Sequence, residues 1–190
     1  HFLDNSAGND GGGAVVSVSE LGLTEYGQTD NTIDGCSFEG NTAGQRGGGL
    51  MIYGDTSIDE PPTSPCTLTI ANTRFESNAA GDLGGGLYLD FWDNEWKDPD
   101  DYFQALTLPG CEFKFNTSAR GGGCAIDAYN EVLDSYFFNV DQCDFIANSA
   151  TQHAGALYKF VDGGYDGNGG ISISNSTFTS NTSVGYGGAI

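Results

Sequence analysis

The side chains of this sequence that could do chemistry are mostly carboxylates. Its 190 residues include 26 Asp and Glu against 6 Lys and Arg, for a formal net charge of −20, and only 2 His. Two histidines are too few for a histidine-rich metal site and disfavour a Ser-His-Asp triad. The negative charge repels nucleic acids and anionic lipids, and no apolar run is long enough to cross a bilayer. We therefore expect neither nucleic-acid binding nor membrane insertion of this segment.

Two carboxylates occupy equivalent positions of the repeat described below and could act together. Asp90 and Asp127 each lie three residues after the residue that follows a glycine cluster. On neighbouring strands they would be about 5 Å apart, close enough for a glycosidase dyad or for a shared cation. A polysaccharide lyase would also need converging basic residues, and the six present are scattered along the chain. The alternative is that both are solvated surface acids.

The segment 90–103, DFWDNEWKDPDDYF, combines aromatic and acidic residues. Its Trp92, Trp96 and Tyr102 are candidate binding residues, because exposed Trp and Tyr are typical interface anchors. The alternative is that they fold back over the protein and the acids keep it soluble. A second acidic segment, 162–168 (DGGYDGN), also holds closely spaced oxygen ligands, and the only cofactor that these two segments suggest is Ca²⁺. The candidate metal ligands are Asp93, Glu95, Asp98, Asp100, Asp101, Asp162 and Asp166.

The elements that would position these side chains follow from an internal repeat. The pattern Phe-x-x-Asn occurs six times, and a cluster of small residues follows each copy. The pairs are Phe2/Asn5, Phe38/Asn41, Phe75/Asn78, Phe113/Asn116, Phe145/Asn148 and Phe178/Asn181. The clusters are 11–13, 47–49, 84–86, 121–123, 154–156 and 187–189.

Residues around each Phe alternate between apolar and polar types, which is typical of a half-buried strand. Each unit offers three short strands, and most length variation falls in one gap, after the strand that follows the glycines. Three strands and one variable loop describe a coil of a parallel β-helix, whereas a propeller blade needs four antiparallel strands. The sequence predicts an all-β, single-stranded parallel β-helix, a solenoid of about five to six coils. Residues 1–190 would form one continuous segment of it.

The recurring Phe and Asn have a structural explanation. In coils stacked roughly 4.8 Å apart, Asn amides can hydrogen-bond along a ladder. Asn also tolerates the left-handed backbone that a sharp corner requires. The Phe side chains would stack in a buried column beside the ladder. The predicted members are Phe38, Phe75, Phe113, Phe145 and Phe178 with Asn41, Asn78, Asn116, Asn148 and Asn181.

Cysteines and sequons are assigned by the same register. Cys36, Cys111 and Cys143 occupy one inward position and are expected to form a thiol ladder, because stacked side chains are slightly too far apart at Cβ for a good disulfide. Of three Asn-x-Ser/Thr sequons, only Asn175 is expected at an accessible corner, where it is a candidate for glycosylation.

Two further expectations concern the strands after the glycines. Tyr88 and Tyr158 belong to an outward row that would be an exposed binding stripe unless loops cover it. Lys159 falls at an inward position, so we expect the fifth strand to shift phase; the alternative is that Lys159 snorkels at a corner.

The motifs Phe-x-x-Asn and Gly-Gly-Ala-(Ile/Leu/Val) resemble the repeats of the polymorphic outer membrane protein family of Chlamydia. Gly12-Gly13-Ala14-Val15 and Gly187-Gly188-Ala189-Ile190 match the second motif in full, whereas the four middle copies match it in part. The resemblance covers essentially the whole chain. It implies a right-handed parallel β-helix displayed on a cell surface, often as an autotransporter passenger, that acts in adhesion.

The expected function is therefore a non-enzymatic extracellular or cell-surface rod, structural or adhesive, with a protein or glycan partner. The alternative is a carbohydrate-active enzyme, a polysaccharide lyase or glycosidase, on the same scaffold. Phe2 and Ile190 both fall at ladder positions, and open rod ends expose core side chains and strand edges. We therefore expect the coils to continue in a longer repeat array or through end-to-end self-association into a filament.

Overall fold

The computed structural model describes residues 1–17, 30–55, 67–92, 105–129, 137–162 and 170–190. Within these ranges all regular structure is strand, and the strands of successive coils pair in parallel and stack into four sheets. This confirms the predicted all-β parallel β-helix. No helix in the described part of the chain is long and apolar enough to cross a membrane.

One coil passes through the four sheets in a fixed order. The entry sheet contains Asp30–Asp34, Thr67–Ala71, Ala105–Pro109, Phe137–Asp141 and Ile171–Ser174. The phenylalanine sheet contains Phe2–Leu3, Ser37–Glu39, Arg74–Glu76, Glu112–Lys114, Asp144–Ile146 and Thr177–Thr179. The short sheet contains Ser6–Ala7, Thr42–Ala43, Ala79–Ala80, Thr117–Arg120, Ser149–His153 and Thr182–Ser183. The post-glycine sheet contains Ala14–Ser17, Leu50–Asp55, Leu87–Trp92, Cys124–Tyr129 and Leu157–Asp162.

The predicted count of three strands per coil is wrong, because the short sheet adds a fourth. Its strands lie between the ladder Asn and the glycine cluster, and several, such as Ala79–Ala80, are two residues long. A period-two alternation cannot be recognised over two residues, which is why the sequence pattern did not predict this strand.

Two columns run through the core of every described coil. The rings of Phe2, Phe38, Phe75, Phe113, Phe145 and Phe178 stack nearly parallel, with centroids 4.6 to 5.2 Å apart. Beside them, Oδ1 of Asn116 accepts hydrogen bonds from the backbone N–H and the Nδ2 of Asn78, both at 3.0 Å. The same two hydrogen bonds form at each of the remaining steps of the ladder. The structure therefore places every predicted ladder residue in its column.

The left-handed corner lies one residue earlier than the sequence predicted. The ladder Asn residues do not have positive φ; the residue before each of them does, with values from +53° to +65°. This residue turns the chain, so the following Asn can direct its amide along the ladder. The corner residues are Asp4, Gly40, Ser77, Phe115, Ala147 and Ser180.

The glycine clusters turn the chain at a corner where successive coils approach closely. A Cβ on Gly85 would lie 2.4 Å from the carbonyl oxygen of Gly122 in the next coil and 2.5 Å from that of Thr117. Only glycine fits there, because both neighbours are backbone atoms. This corner directs the chain into the post-glycine sheet.

The expected phase shift of the fifth post-glycine strand does not occur. Lys159 pairs in register with Ile126, and Tyr158 and Phe160 keep the positions of Ala125 and Asp127. Parallel backbone pairing over six residues fixes this register, so Lys159 takes the inward position half-buried. Burial lowers the pKa of its ammonium group.

Candidate functional site

The outer face of the post-glycine sheet holds the candidate functional side chains in two rows. The inner row consists of Val15, Met51, Tyr88, Ala125 and Tyr158. The outer row consists of Ser17, Tyr53, Asp90, Asp127 and Phe160. Because the strands are about 4.8 Å apart, the members of each row lie side by side across the sheet.

The middle of the inner row is not an exposed stripe, which was one of the two alternatives that the sequence left open; only Val15 at its end is well exposed. Met51, Tyr88 and Ala125 are buried together with Leu83 in a small hydrophobic cluster, and Tyr158 packs against it half-exposed. Tyr88 is only 1% exposed, so its ring stabilises the sheet and is unavailable as a binding platform. These side chains form a second, smaller core on the outer face of the sheet, separate from the core that contains the Phe column.

The inner row is covered by residues that stand immediately before the glycine clusters. Arg46, Leu83 and Arg120 pair as successive bridges across the coils. The guanidinium carbon of Arg46 lies 5.7 Å from the ring centroid of Tyr88, and that of Arg120 lies 5.9 Å from the centroid of Tyr158. These are cation–π distances. Sequence reasoning missed this cover, although a bulky residue directly before a glycine cluster was a visible signal.

The outer row forms a shallow recess between two exposed rings. Tyr53 and Phe160 are 38% and 41% exposed. Between them, Asp90 and Asp127 are half-buried, and the side chain of Asp90 is 17% exposed. The structure therefore brings together the two carboxylates that the repeat register had paired.

The recess is electrostatically asymmetric. Arg46 Nη1 lies 3.6 Å from Asp90 Oδ2, and the Tyr88 hydroxyl lies 3.5 Å from Asp127 Oδ2. Burial raises the pKa of Asp90, Arg46 opposes that shift, and the neighbouring Asp127 adds to it. Burial and the two carboxylates also raise the pKa of Tyr88, which therefore remains a protonated donor at neutral pH.

A second polar group borders the same face. Arg120 Nη2 donates to both carboxylate oxygens of Asp82 at 2.7 Å. The His153 ring stacks 6.1 Å from that of Tyr158 and 5.5 Å from that of Tyr186. The bidentate pair of Arg120 with Asp82 fixes the guanidinium group over the Tyr158 ring. Arg120 is thereby kept out of the outer row.

Most of the candidate binding and metal residues in the variable segments lie outside the described residues. For Trp92 and Asp162 the structure gives the backbone, which ends two post-glycine strands and pairs on either side with Tyr129. Among the residues that the structure describes, no group of three or more His, Cys, Asp or Glu is placed to hold a metal ion. The candidate residues that lie outside the described residues are Trp96, Tyr102, Asp93, Glu95, Asp98, Asp100, Asp101 and Asp166.

Cysteines at the inward position are free thiols. Cys111 and Cys143 are buried, and their Sγ atoms donate to the carbonyl oxygens of Ile70 and Leu108 at 3.0 and 2.9 Å. Burial raises the pKa of the remaining core thiol, Cys124. These thiols fill space in the core.

The sequon asparagine Asn175 lies at an exposed corner with φ +48°. Its Nδ2 donates to Asp141 Oδ1 at 2.9 Å. The competing sequon residue Asn116 is buried in the ladder, with no exposed surface. Glycosylation of Asn175 stays a prediction.

Comparison with known proteins adds one finding. Residues 175–190 match the model of the Chlamydia polymorphic membrane protein repeat. The matched stretch contains Phe178, Asn181 and the 187–190 glycine motif, which are the last of the six repeat copies on which the resemblance rested. No curated protein and no solved structure matches the chain.

Proposed function

We propose that this chain is part of a rigid cell-surface rod that acts in adhesion. The observation that carries the proposal is the register of the Phe and Asn columns, which continues through every described coil. Each coil is also hydrogen-bonded to the next through parallel sheets. A scaffold of this kind holds surface features at fixed spacing along its length.

Variation at a single corner supports a display role. Five segments that differ in length connect the post-glycine sheet to the entry sheet, and they contain most of the acidic residues. Recognition residues collect in loops on rigid scaffolds. We propose Trp92, Trp96 and Tyr102 as adhesive anchors, with Ca²⁺ as the ion for the acids beside them. The segments are 17–31, 53–67, 90–105, 127–137 and 160–170.

Two observations support a location on a cell surface. The final repeat matches the Chlamydia polymorphic membrane protein repeat. The net charge of −20 also favours a well-hydrated surface. A protein or glycan on an opposing surface would be the partner.

The test is attachment of beads coated with the chain to epithelial cells. We expect attachment above that of albumin-coated beads, and a loss when residues 92–102, which include all three proposed anchors, are replaced by a Gly/Ser segment of equal length. The matched control replaces residues 163–169 in the same way. Attachment equal to the albumin background would contradict the adhesive function. Equal loss with both replacements would show that the segment 90–105 contributes no more to attachment than the segment 160–170 does.

The alternative, a glycosidase, is favoured by one observation, the raised pKa of Asp90 beside Asp127. A general acid with a raised pKa next to a second carboxylate is the arrangement that retaining glycosidases use. The test is release of reducing ends from a panel of polysaccharides. Release that is abolished in Asp90→Asn and retained in Asp144→Asn would replace the adhesive proposal with the enzymatic one.

A further inference from the structure

We propose that the outer row of the post-glycine sheet binds an uncharged oligosaccharide laid across the strands. This inference rests on the adhesive function proposed above and names the chemical class of its partner. The observation behind it is the order of the row, in which Tyr53, Asp90, Asp127 and Phe160 occupy consecutive strands in register. Two exposed rings thus enclose two recessed carboxylates.

The rings provide the platforms. An exposed aromatic ring offers an apolar face, and the C–H face of a sugar ring packs on it in the same way as other apolar groups do. Tyr53 and Phe160 are three strand spacings apart, about 14 Å, which is the length of a short oligosaccharide. The Phe160 ring lies nearly parallel to that of Tyr158, at 6° with centroids 6.5 Å apart, which fixes its orientation.

The carboxylates between the rings provide acceptors for hydroxyl groups. Arg46 lies 3.6 Å from Asp90, which is longer than a hydrogen bond. A carboxylate has about four acceptor positions. The Tyr88 hydroxyl, which lies between Asp90 and Asp127, has one proton to donate and fills at most one of the positions on Asp90. Acceptor positions on Asp90 therefore remain for sugar hydroxyls, in hydrogen bonds strengthened by the charge of the carboxylate. Arg46 supplies donors at the same edge.

Charge decides which oligosaccharides fit. Two carboxylates in the recess and a net charge of −20 repel uronate, sialylated and sulfated chains. An uncharged glycan avoids this repulsion and still satisfies the acceptors. A basic peptide would pair with the same carboxylates, but it has no need of a ring platform at each end of the row. The presence of both platforms favours the sugar.

The experiment measures binding of the purified chain to immobilised neutral, sialylated, uronate-containing and sulfated oligosaccharides and to a Lys/Arg-rich peptide. We expect binding to a neutral oligosaccharide that changes little between 50 mM and 500 mM salt, because no net charge is paired. Tyr53→Ala and Phe160→Ala should each weaken it about tenfold, the scale of one lost aromatic contact. The double variant Asp90→Asn with Asp127→Asn should weaken it at least as much.

Matched controls lie on other faces of the same rod. Phe115→Ala removes another exposed ring, and Asp144→Asn neutralises another exposed carboxylate; neither should change binding. Circular dichroism of each variant checks that the strands are intact. Binding that is insensitive to Tyr53→Ala and Phe160→Ala, or confined to the basic peptide and lost at 500 mM salt, would overturn the inference.

The same variants separate this inference from the adhesive function. If beads attach to cells equally before and after enzymatic removal of cell-surface glycans, and the outer-row variants attach like the native chain, adhesion stands and the glycan site falls. If the native chain binds the neutral oligosaccharide in isolation and its beads do not attach to cells, the glycan site stands and the adhesive role falls.

Discussion

The ladder Asn side chains use their full hydrogen-bonding capacity without water. Asn78 accepts at Oδ1 from the backbone N–H and the Nδ2 of Asn41. Its own Nδ2 donates to the carbonyl of Phe38 and to Oδ1 of Asn116. No other side chain of this size supplies two acceptor and two donor positions in one plane. The recurrence of Asn, which the sequence shows, therefore has a definite chemical cause.

Asn78→Ala should be strongly destabilising. It leaves two donors on Asn41 and the carbonyl of Phe38 without partners in a dry core, at about 1–3 kcal/mol each. We expect the free energy of unfolding to fall by more than about 3 kcal/mol, measured by urea denaturation. Asn9→Ala, at an exposed position, is the control and should stay within about 0.5 kcal/mol of the native chain. A small loss at Asn78 would mean that water replaces the ladder.

Phe115 combines an unfavourable backbone with an exposed ring. Its φ is +55°, and its side chain is 53% exposed. A left-handed backbone costs a residue with a Cβ about 1–2 kcal/mol, and glycine occupies the equivalent corner at Gly40. Phe115→Gly should therefore raise the free energy of unfolding by about 1 kcal/mol. Phe115→Ala keeps the strain and should give no such gain; a gain of the same size there would contradict the backbone explanation.

Asp90 should make stability depend on pH in a predictable direction. Burial raises the pKa of Asp90 from its ordinary value of 3.8, so the folded state holds this proton more tightly than the unfolded state. The stability that the protonated Asp90 carboxyl gives the folded state is fully present below the pKa of the unfolded state. It is lost as pH rises through the higher pKa of the folded state. Asp90→Asn should therefore unfold at higher urea than the native chain at pH 7, and this difference should vanish near pH 3.

Asp141 provides the control of opposite sign. Hydrogen bonds donated by Ser174, Gln142 and Asn175 lower the pKa of Asp141. Its stabilising contribution is present above the unfolded pKa and is lost as pH falls through the lower folded pKa. Asp141→Asn should therefore lower the urea midpoint at pH 7. Shifts of the same sign in Asp90→Asn and Asp141→Asn would contradict the assigned causes.

At the scale of elements, the sequence predicted the strands in which apolar and polar residues alternate. It did not predict the strands that are too short to show such alternation. The strands around Phe75 and Phe113 were predicted because apolar and polar residues alternate there. The two-residue strands of the short sheet carry no such pattern. The burial of Tyr88 was also missed, because periodicity reports which face a side chain occupies and gives no information on what covers that face. The pairing of Asp90 with Asp127 was predictable, since it follows from register alone.

Gly85→Ala tests one of the tight corners between coils. The added Cβ would meet backbone carbonyl oxygens at 2.4 and 2.5 Å, and backbone cannot rotate away as a side chain can. Overpacking of this kind costs about 3 kcal/mol or more, and we expect that loss in urea denaturation. Gly8→Ala is the matched control, because nothing lies within 4 Å of a Cβ built there. Equal effects of the two substitutions would show that the corner is looser than described.

At the scale of the whole molecule, each described coil contacts the coils before and after it through the same columns. Phe38, Phe75, Phe113 and Phe145 are buried, whereas Phe2 in the first coil is 36% exposed.

End-to-end association stays a prediction for the whole molecule. We expect the purified chain to form species larger than a monomer as its concentration rises, measured by sedimentation velocity. Substituting Leu3, 51% exposed on the first coil, by Lys should weaken this association through repulsion at the edge. The control is Val15→Lys, an exposed position on the outer face of the post-glycine sheet. A chain that remains monomeric and unfolds cooperatively at high concentration would contradict the prediction.

The identity of successive contacts in the Phe and Asn columns has a genetic consequence. Phe75 meets Phe38 on one side and Phe113 on the other with nearly the same geometry, at 5.2 and 4.9 Å. Unequal recombination between two repeats would therefore insert or delete an entire coil without creating a mismatched junction. Each such event changes the length of the rod by one coil, about 4.8 Å, so length becomes a heritable property that varies in fixed steps.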